Sequence, residues 1–141
     1  MPPRHVYIHV PFCARRCAYC DFSIAVRRTV PAARYREALA LELSVRRSPS
    51  GEWPVETLYL GGGTPSRLGG PGLADVVLML REWFHLEPGA EVTVEANPED
   101  VTPGAVRAWR GAGVTRLSLG AQSFDEGALR WMHRTHSAEQ T

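Results

Sequence analysis

The chain has 141 residues, 44% of them apolar and 22% charged, which is the composition of an ordinary folded domain and excludes a disordered chain or a fibre. Its formal net charge of +1, with both signs interspersed, leaves no concentrated basic face and predicts no nucleic-acid partner. No apolar run approaches the ~20 residues of a membrane span and no segment is of signal-peptide type, so the sequence predicts a cytoplasmic location without a transmembrane segment.

The first predicted strand covers residues 4–10, where apolar and polar side chains alternate. A loop that contains cysteines follows it. Pro31 can then open a helix that runs to about Arg47, before the segment SPSGEWP breaks it. The apolar residues that recur at every fourth position of this helix are Tyr35, Leu39 and Leu43.

Three further strand and helix pairs follow in the same order. Their strands are predicted at residues 55–60, 91–96 and 117–119. The helix of the third unit is predicted to have Thr102 as its N-cap and Pro103 as its first residue, and to end near Gly111 or Gly113. Strands that alternate with helices predict an α/β fold with a mainly parallel sheet, either open or curled into a barrel.

About four β/α units are too few to close a (β/α)₈ barrel, which takes roughly 250 residues. The last six residues, HSAEQT, are typical of the start of another helix, with Ser137 as its N-cap and Gln140 completing a capping box. We therefore expect residues 1–141 to be the N-terminal part of a partial (β/α) TIM-like barrel, truncated after about four β/α units, with no internal domain boundary.

Unusual residues follow the strand ends in all four units. They are the cysteine loop, the run Gly61 to Thr64, Glu95 and Gln122. Because the carboxyl ends of parallel strands meet at one edge of a sheet, we expect these residues to share one rim, where such folds bind ligands. The alternative is that each has only a local role, the glycines in a turn and the glutamate at a solvated strand end.

The chain has three cysteines, Cys13, Cys17 and Cys20, spaced CxxxCxxC. An odd, clustered set without a secretory signal favours metal or redox chemistry over disulfides. A structural zinc site would need a fourth ligand such as His9, and three buried free thiols are a further alternative. A [4Fe-4S] cluster normally has four cysteine ligands, so three would leave one iron open to an exogenous ligand.

The cysteine spacing, with an aromatic residue before the last cysteine, resembles the signature of the radical S-adenosylmethionine (SAM) superfamily. The segments YIHVPFC, LYLGGGTPSRL, VEANPE and RLSLGAQSF resemble, in that order, the oxygen-independent coproporphyrinogen III oxidase family, which includes the HemW-type haem chaperones. This resemblance covers residues 7–136. It implies a radical SAM domain in which the three cysteines hold a [4Fe-4S] cluster and SAM chelates the open iron. It further implies that one electron from the reduced cluster cleaves SAM to methionine and a 5′-deoxyadenosyl radical.

The same resemblance implies which residues bind SAM. Tyr7 and Tyr19 would flank the cluster and SAM, although core packing is an alternative role for both. Gly62, Gly63 and Thr64 would line the amino-acid end of SAM. Glycine suits such a position because it lets the backbone approach a ligand closely.

Three more SAM-binding residues are implied by their motif positions. Glu95 would accept hydrogen bonds from the ribose or the amino group, and Gln122 would bond the ribose or the carboxylate. Arg134 would pair with the carboxylate, for which its planar fork is suited. No catalytic side chain is assigned, and we expect His133 and His136 to be surface residues.

Phe22 separates two branches of the family. The oxidases resemble this loop but carry a further cysteine two residues after the third, at the place of Phe22, and they have a longer segment before the first strand. Both differences favour the HemW-type branch, whose members bind haem and deliver it to target haemoproteins, some of them in the respiratory membrane. The haem-binding residues would lie beyond Thr141.

Three functions therefore remain open. The first is a haem chaperone with a cluster, SAM and an electron donor. The second is a radical enzyme that acts on a porphyrinogen or another substrate, and the third is a non-catalytic zinc or thiol module. Whether the protein is an enzyme is left open by the sequence.

Overall fold

The computed structural model describes residues 3–46 and 53–141. The predicted helix end near Arg47, and most of the breaking segment after it, lie outside these described residues. The elements are β1 (His5–Val10), β2 (Phe12–Cys13), β3 (Ala25–Val26), α1 (Ala32–Arg46), β4 (Pro54–Gly62), α2 (Gly69–Trp83), β5 (His85–Ala96), α3 (Pro103–Ala112), β6 (Arg116–Leu119) and α4 (Glu126–Trp131). Short 3-10 turns at Pro65–Leu68 and Pro98–Asp100 follow β4 and β5.

Four strands form one sheet in the order β1, β4, β5, β6, and every neighbouring pair is parallel. Tyr7 lies opposite Tyr59, which lies opposite Thr93. The two short strands β2 and β3 form a separate parallel pair that brackets the cysteine loop. The predicted α/β fold with a parallel sheet is confirmed.

One strand is longer than its sequence pattern indicates. β5 begins at His85, six residues before the predicted start at Glu91, although Pro88 and Gly89 are typical of a turn. The pairing with β4 passes from Val55 opposite Leu86 to Thr57 opposite Glu91, so residues 87–90 bulge out of the ladder. Gly89 has φ 83° within this bulge. A bulge absorbs turn residues inside a strand, which local pattern reasoning cannot anticipate.

The hydrophobic core lies between the sheet and the helices α1, α2 and α3. Alternate residues of β1 point into it, with Ile8 and Val10 buried, while His5, Tyr7 and His9 are exposed on the other face. The largest fully buried side chains are Trp109, Leu58, Leu60, Leu73, Leu80, Leu129, Val10, Val55, Val76, Val77, Val92 and Val94. The strands thus present an apolar face to the helices and a face with polar and aromatic residues to the opposite side.

The third helix begins and ends at the predicted residues. The Thr102 hydroxyl accepts a hydrogen bond from the Ala105 backbone N–H at 3.2 Å, and Gly113 ends the helix in the left-handed region at φ 102°. Replacing Thr102 with alanine is expected to lower the free energy of unfolding by about 1 kcal/mol, because that N–H loses its partner. Urea denaturation measures this loss. The control is Thr29→Ala at an exposed loop position, and equal stability of the two variants would contradict the capping role.

Candidate functional site

An open cavity of about 280 Å³ lies where the carboxyl ends of the sheet strands meet. Nearly all predicted site residues line it. These residues are Cys13, Cys17, Tyr19, Cys20, Gly62, Gly63, Thr64, Glu95, Gln122 and Arg134. The predicted rim is therefore present, and it draws on the segments that follow all four strands of the sheet.

Tyr7 is the predicted site residue that does not line this cavity. It lies on the exposed face of β1, where its ring stacks on Tyr59 with centroids 6.0 Å apart and its hydroxyl contacts His9 Nδ1 at 3.2 Å. Burial, and then the negative charge of Glu95, raise the pKa of Tyr7. Tyr7 therefore does not contact the cavity itself, but it contacts Tyr59 and His9.

Backbone hydrogen bonds hold the cysteine loop at both ends. The Ala25 N–H donates to Pro11 O at 2.8 Å and the Arg27 N–H donates to Cys13 O at 2.9 Å. Within the loop, the Cys20 N–H donates to Cys17 O at 3.1 Å and forms a tight turn. Two of the three thiols are thus brought together by a local turn, and the third is fixed by the β2–β3 pair.

Cys13 is the buried member of the three free cysteines. Its Sγ lies 3.5 Å from Thr64 Oγ1. Burial raises the pKa of the Cys13 thiol, and the negative charges of Cys20 and Cys17 raise it further, although the Thr64 hydrogen bond opposes them. A raised pKa keeps this thiol protonated over a wider pH range, so a metal that bound it would displace a proton.

The end of β4 touches the cysteine loop because two glycines stand there. Gly62 has φ 119°, which few other residues adopt without strain. A Cβ on Gly63 would lie 2.6 Å from Pro11 O and 3.0 Å from Cys13 Sγ. Gly63 therefore leaves the space beside the Cys13 thiol open, whereas a side chain at Gly62 would meet the His9 ring at 2.6 Å.

Both carboxylate oxygens of Glu95 accept hydrogen bonds from β4. The Tyr59 hydroxyl donates to Oε1 at 2.7 Å, and the Gly62 backbone N–H donates to Oε2 at 3.0 Å. Each oxygen keeps a second lone pair for a ligand. Tyr59 is not among the predicted site residues, because its contact with Glu95 depends on the register of two strands that no local pattern specifies.

Arg134 joins three separate segments at the cavity. Its Nη2 donates to Asn97 Oδ1 at 2.7 Å and to Gly120 O at 2.8 Å, and its Nη1 donates to Cys17 Sγ at 3.4 Å. Its Nε is buried, and no hydrogen-bond partner for it lies within residues 3–46 and 53–141. Asn97 is therefore an anchor of this side chain.

Gln122 follows β6 with a left-handed backbone, at φ 64°. The carbonyl of the preceding residue, Ala121, contacts His136 Nε2 at 3.0 Å, and His136 Nδ1 lies 3.4 Å from Glu99 Oε2. The expectation that His136 is a surface residue is wrong, since it is only 4% exposed. Its partners come from distant loops, which the sequence could not place beside it. His133 is exposed, as expected.

The donor atoms at the cavity include three thiols, which are the usual ligands of iron–sulfur clusters. Within residues 3–46 and 53–141, no three His, Cys, Asp or Glu side chains converge as ligands of one metal ion. In a [4Fe-4S] cluster each thiolate would hold its own iron. The three thiols and the open space that Gly63 leaves beside Cys13 are compatible with such a group.

The part of the chain that the structure describes contains no helix that is long and apolar enough to cross a membrane.

Comparison with known proteins identifies what the chain is similar to. The family model described as "Radical SAM superfamily" matches residues 7–141. The heme chaperone HemW of Mycobacterium tuberculosis is 46% identical over 138 residues, covering 96% of this chain and 35% of that protein. The heme chaperone HemW of Escherichia coli is 38% identical over 141 residues, covering 99% of this chain and 37% of that protein.

A solved structure has the same fold. It is described as "Coproporphyrinogen III oxidase (HemN) from Escherichia coli is a Radical SAM enzyme" and matches with a TM-score of 0.87 and 32% identity, over 99% of this chain and 32% of its own. The four β/α units therefore have the arrangement of part of a radical SAM fold. The chain spans about a third of the length of the curated relatives it matches.

Proposed function

The chain belongs to the radical SAM superfamily, and from this membership we propose that it is part of a HemW-type haem chaperone with a [4Fe-4S] cluster and SAM as cofactors. The observation that carries the proposal is the cavity, which gathers the three cysteines and the SAM-binding motif positions at one edge of the sheet. The names of the HemW relatives support haem as the cargo.

In this proposal Cys13, Cys17 and Cys20 are the thiolate ligands of the cluster. When bound, the cluster supplies one electron for cleavage of a carbon–sulfur bond of SAM. The chain's own residues position and enclose the reacting groups. The turn from Cys17 to Cys20 and the contact of Cys13 with Thr64 would help to orient the three donors.

The residues around the cysteines would hold SAM. Gly62 and Gly63 leave room for its amino-acid end, and the Thr64 hydroxyl can accept from its ammonium. Glu95 is already held by two donors from β4, so its carboxylate is fixed for a ribose or amino group. Gln122 would bond the ribose or carboxylate from the opposite wall.

Three further side chains complete this arrangement. The buried Nε of Arg134 finds no hydrogen-bond partner in the part of the chain that the structure describes, which supports a contact with the carboxylate of SAM. Tyr19 lines the cavity and would lie against the cluster or SAM, while Tyr7, which does not line the cavity, would influence SAM only through Tyr59, on which its ring stacks.

Tyr59 is expected to act on SAM through Glu95. Replacing it with phenylalanine removes the donor to Glu95 Oε1, and the carboxylate loses one of its two supports. The affinity of the cluster-loaded protein for SAM is expected to fall about fivefold, which corresponds to a lost hydrogen bond of about 1 kcal/mol. Equilibrium binding measures this change. The control is Tyr35→Phe. This variant also loses a hydroxyl, but that hydroxyl donates to His9 O rather than to Glu95. Equal SAM affinities of the two variants would contradict the role of Tyr59.

The cofactor assignment is tested by anaerobic reconstitution with iron and sulfide, followed by absorbance and EPR spectroscopy. We expect four irons per chain and an EPR signal of the reduced cluster that changes when SAM is added. Uptake of zinc with no uptake of iron would reject the cluster and favour the zinc or thiol module.

The second candidate function is an oxygen-independent coproporphyrinogen III oxidase, favoured by the similarity to the solved oxidase structure. Phe22 supports the chaperone instead. It lines the cavity at the position where the oxidases would carry a further cysteine. The full-length protein should bind haem and should leave coproporphyrinogen unchanged in the presence of SAM and reductant. Formation of vinyl groups on the porphyrinogen would favour the oxidase, and failure to bind haem would reject the chaperone.

We also propose that residues 1–141 are the N-terminal part of the radical SAM core domain, since the relatives are about three times as long. The proposed partners are haem, haem-requiring respiratory proteins and an electron donor. The proposed location is the cytoplasm.

A further inference from the structure

We propose that Arg134 raises the reduction potential of the cluster by donating a hydrogen bond to the sulfur of Cys17. This inference rests on the proposed function, because it requires Cys17 to be a cluster ligand. It is separate from the contact between Arg134 and SAM, since it concerns the protein without SAM. The free thiol of Cys17 stands here for the iron-bound thiolate.

The contact between Arg134 and Cys17 is held in place by further hydrogen bonds of Arg134. Arg134 Nη1 lies 3.4 Å from Cys17 Sγ, and both residues are only partly exposed. The other nitrogen, Nη2, donates to Asn97 Oδ1 and to Gly120 O at 2.7 and 2.8 Å. These two bonds come from the ends of β5 and β6, so the guanidinium cannot easily turn away from the sulfur.

The direction of the effect follows from charge. Reduction adds one electron to the cluster, so a cation beside a ligand sulfur stabilises the reduced state more than the oxidised state. Hydrogen bonds to the sulfurs, net charge and exposure to solvent are the factors that set the potential of such clusters. Arg134 supplies a hydrogen bond and a positive charge at a partly buried sulfur, where solvent screening is weaker than at the surface.

Arg134 can also contact SAM while it keeps its hydrogen bond to the cluster ligand Cys17. Three of its N–H groups donate to Cys17, Asn97 and Gly120, while its Nε has no hydrogen-bond partner among the described residues. The side chain can therefore keep its bond to the sulfur while Nε donates to a carboxylate. In that position Arg134 would contact a cluster ligand and a SAM group at the same time.

The experiment compares midpoint potentials of the reconstituted full-length protein without SAM. Each sample is poised anaerobically with dithionite and redox mediators, and the EPR signal of the reduced cluster is followed against potential. Arg134→Gln is expected to shift the midpoint to a more negative value, because both the charge and the Nη1 contact are lost. Arg134→Lys keeps the charge without the planar fork and should lie between Arg134→Gln and the unaltered protein.

The matched control is Arg15→Gln. Arg15 also lines the cavity, but its side chain is exposed and its Nη1 contacts His133 O at 3.5 Å rather than a sulfur. Its replacement should shift the midpoint much less than Arg134→Gln does. A shift of equal size in both variants, or none in either, would overturn the inference while the cluster signal itself would still support the proposed function.

Failure of the unaltered protein to form a cluster would reject the proposed function and this inference together. If Arg134→Gln alone fails to load iron, the midpoint potential of Arg134→Lys tests the inference in its place. A midpoint in Arg134→Lys equal to that of the unaltered protein would then contradict the role of the hydrogen bond to Cys17.

Discussion

Cys20→Ala is expected to abolish the cluster, with iron and sulfide contents after anaerobic reconstitution near background. Only two thiolates would remain for four irons, and no other cysteine exists in the chain to replace the lost ligand. SAM binding should fall with the cluster, because its proposed anchor is the open iron. Iron analysis and EPR spectroscopy measure the first effect, and equilibrium binding of SAM measures the second.

Cys20 is the suitable position because it is partly exposed and its side chain is not part of the core. The metal-free variant should therefore unfold at nearly the same denaturant concentration as the metal-free unaltered protein. Asp21→Ala, at an exposed position in the same loop, is the control and should load normally. Normal loading of Cys20→Ala would contradict the three-cysteine ligand set.

Gly63→Ala is expected to have the second largest effect, and it acts by displacing the cysteine loop. The added methyl group would lie 2.6 Å from Pro11 O and 2.7 Å from Pro11 C, which are backbone atoms and cannot rotate away. Overpacking of this kind costs about 1–3 kcal/mol of folding free energy. Because Cys13 Sγ is also only 3.0 Å from the new atom, iron loading should fall as well. Urea denaturation and iron analysis measure the two effects.

Gly111→Ala is the matched control for this substitution. A Cβ at Gly111 meets nothing within 4 Å, and the residue lies inside α3. Alanine is favoured over glycine within helices, so this variant should be more stable by about 0.5–1 kcal/mol and should load iron normally. If Gly63→Ala were as stable as Gly111→Ala, the close contact with the cysteine loop would be contradicted.

The parts of the fold that depend on local patterns could be predicted from the sequence. Apolar alternation identified β1, and the Thr102 and Pro103 pair identified the start of α3, because a few neighbouring residues determine each. The common rim followed from a general property of parallel sheets, which brings strand ends together whatever their sequence.

The contacts that complete the site could not be predicted in this way. Tyr59 reaches Glu95 over 36 positions in sequence, and Arg134 reaches Asn97 over 37. Such pairs depend on strand register and loop path, which are properties of the folded chain. His136 shows the same limit, since its partners, the Ala121 carbonyl and Glu99, come from distant parts of the chain.

The contact between Cys17 and Arg134 has a consequence for biosynthesis. The two residues are 117 positions apart, so at about 5–20 residues per second the ribosome needs roughly 6 to 23 s to make the second after the first. Throughout that time the thiols have emerged without the wall that encloses them, and they are open to oxidants and to stray metal ions. If the cysteines hold the proposed cluster, its loading is therefore expected to follow the formation of the later strands.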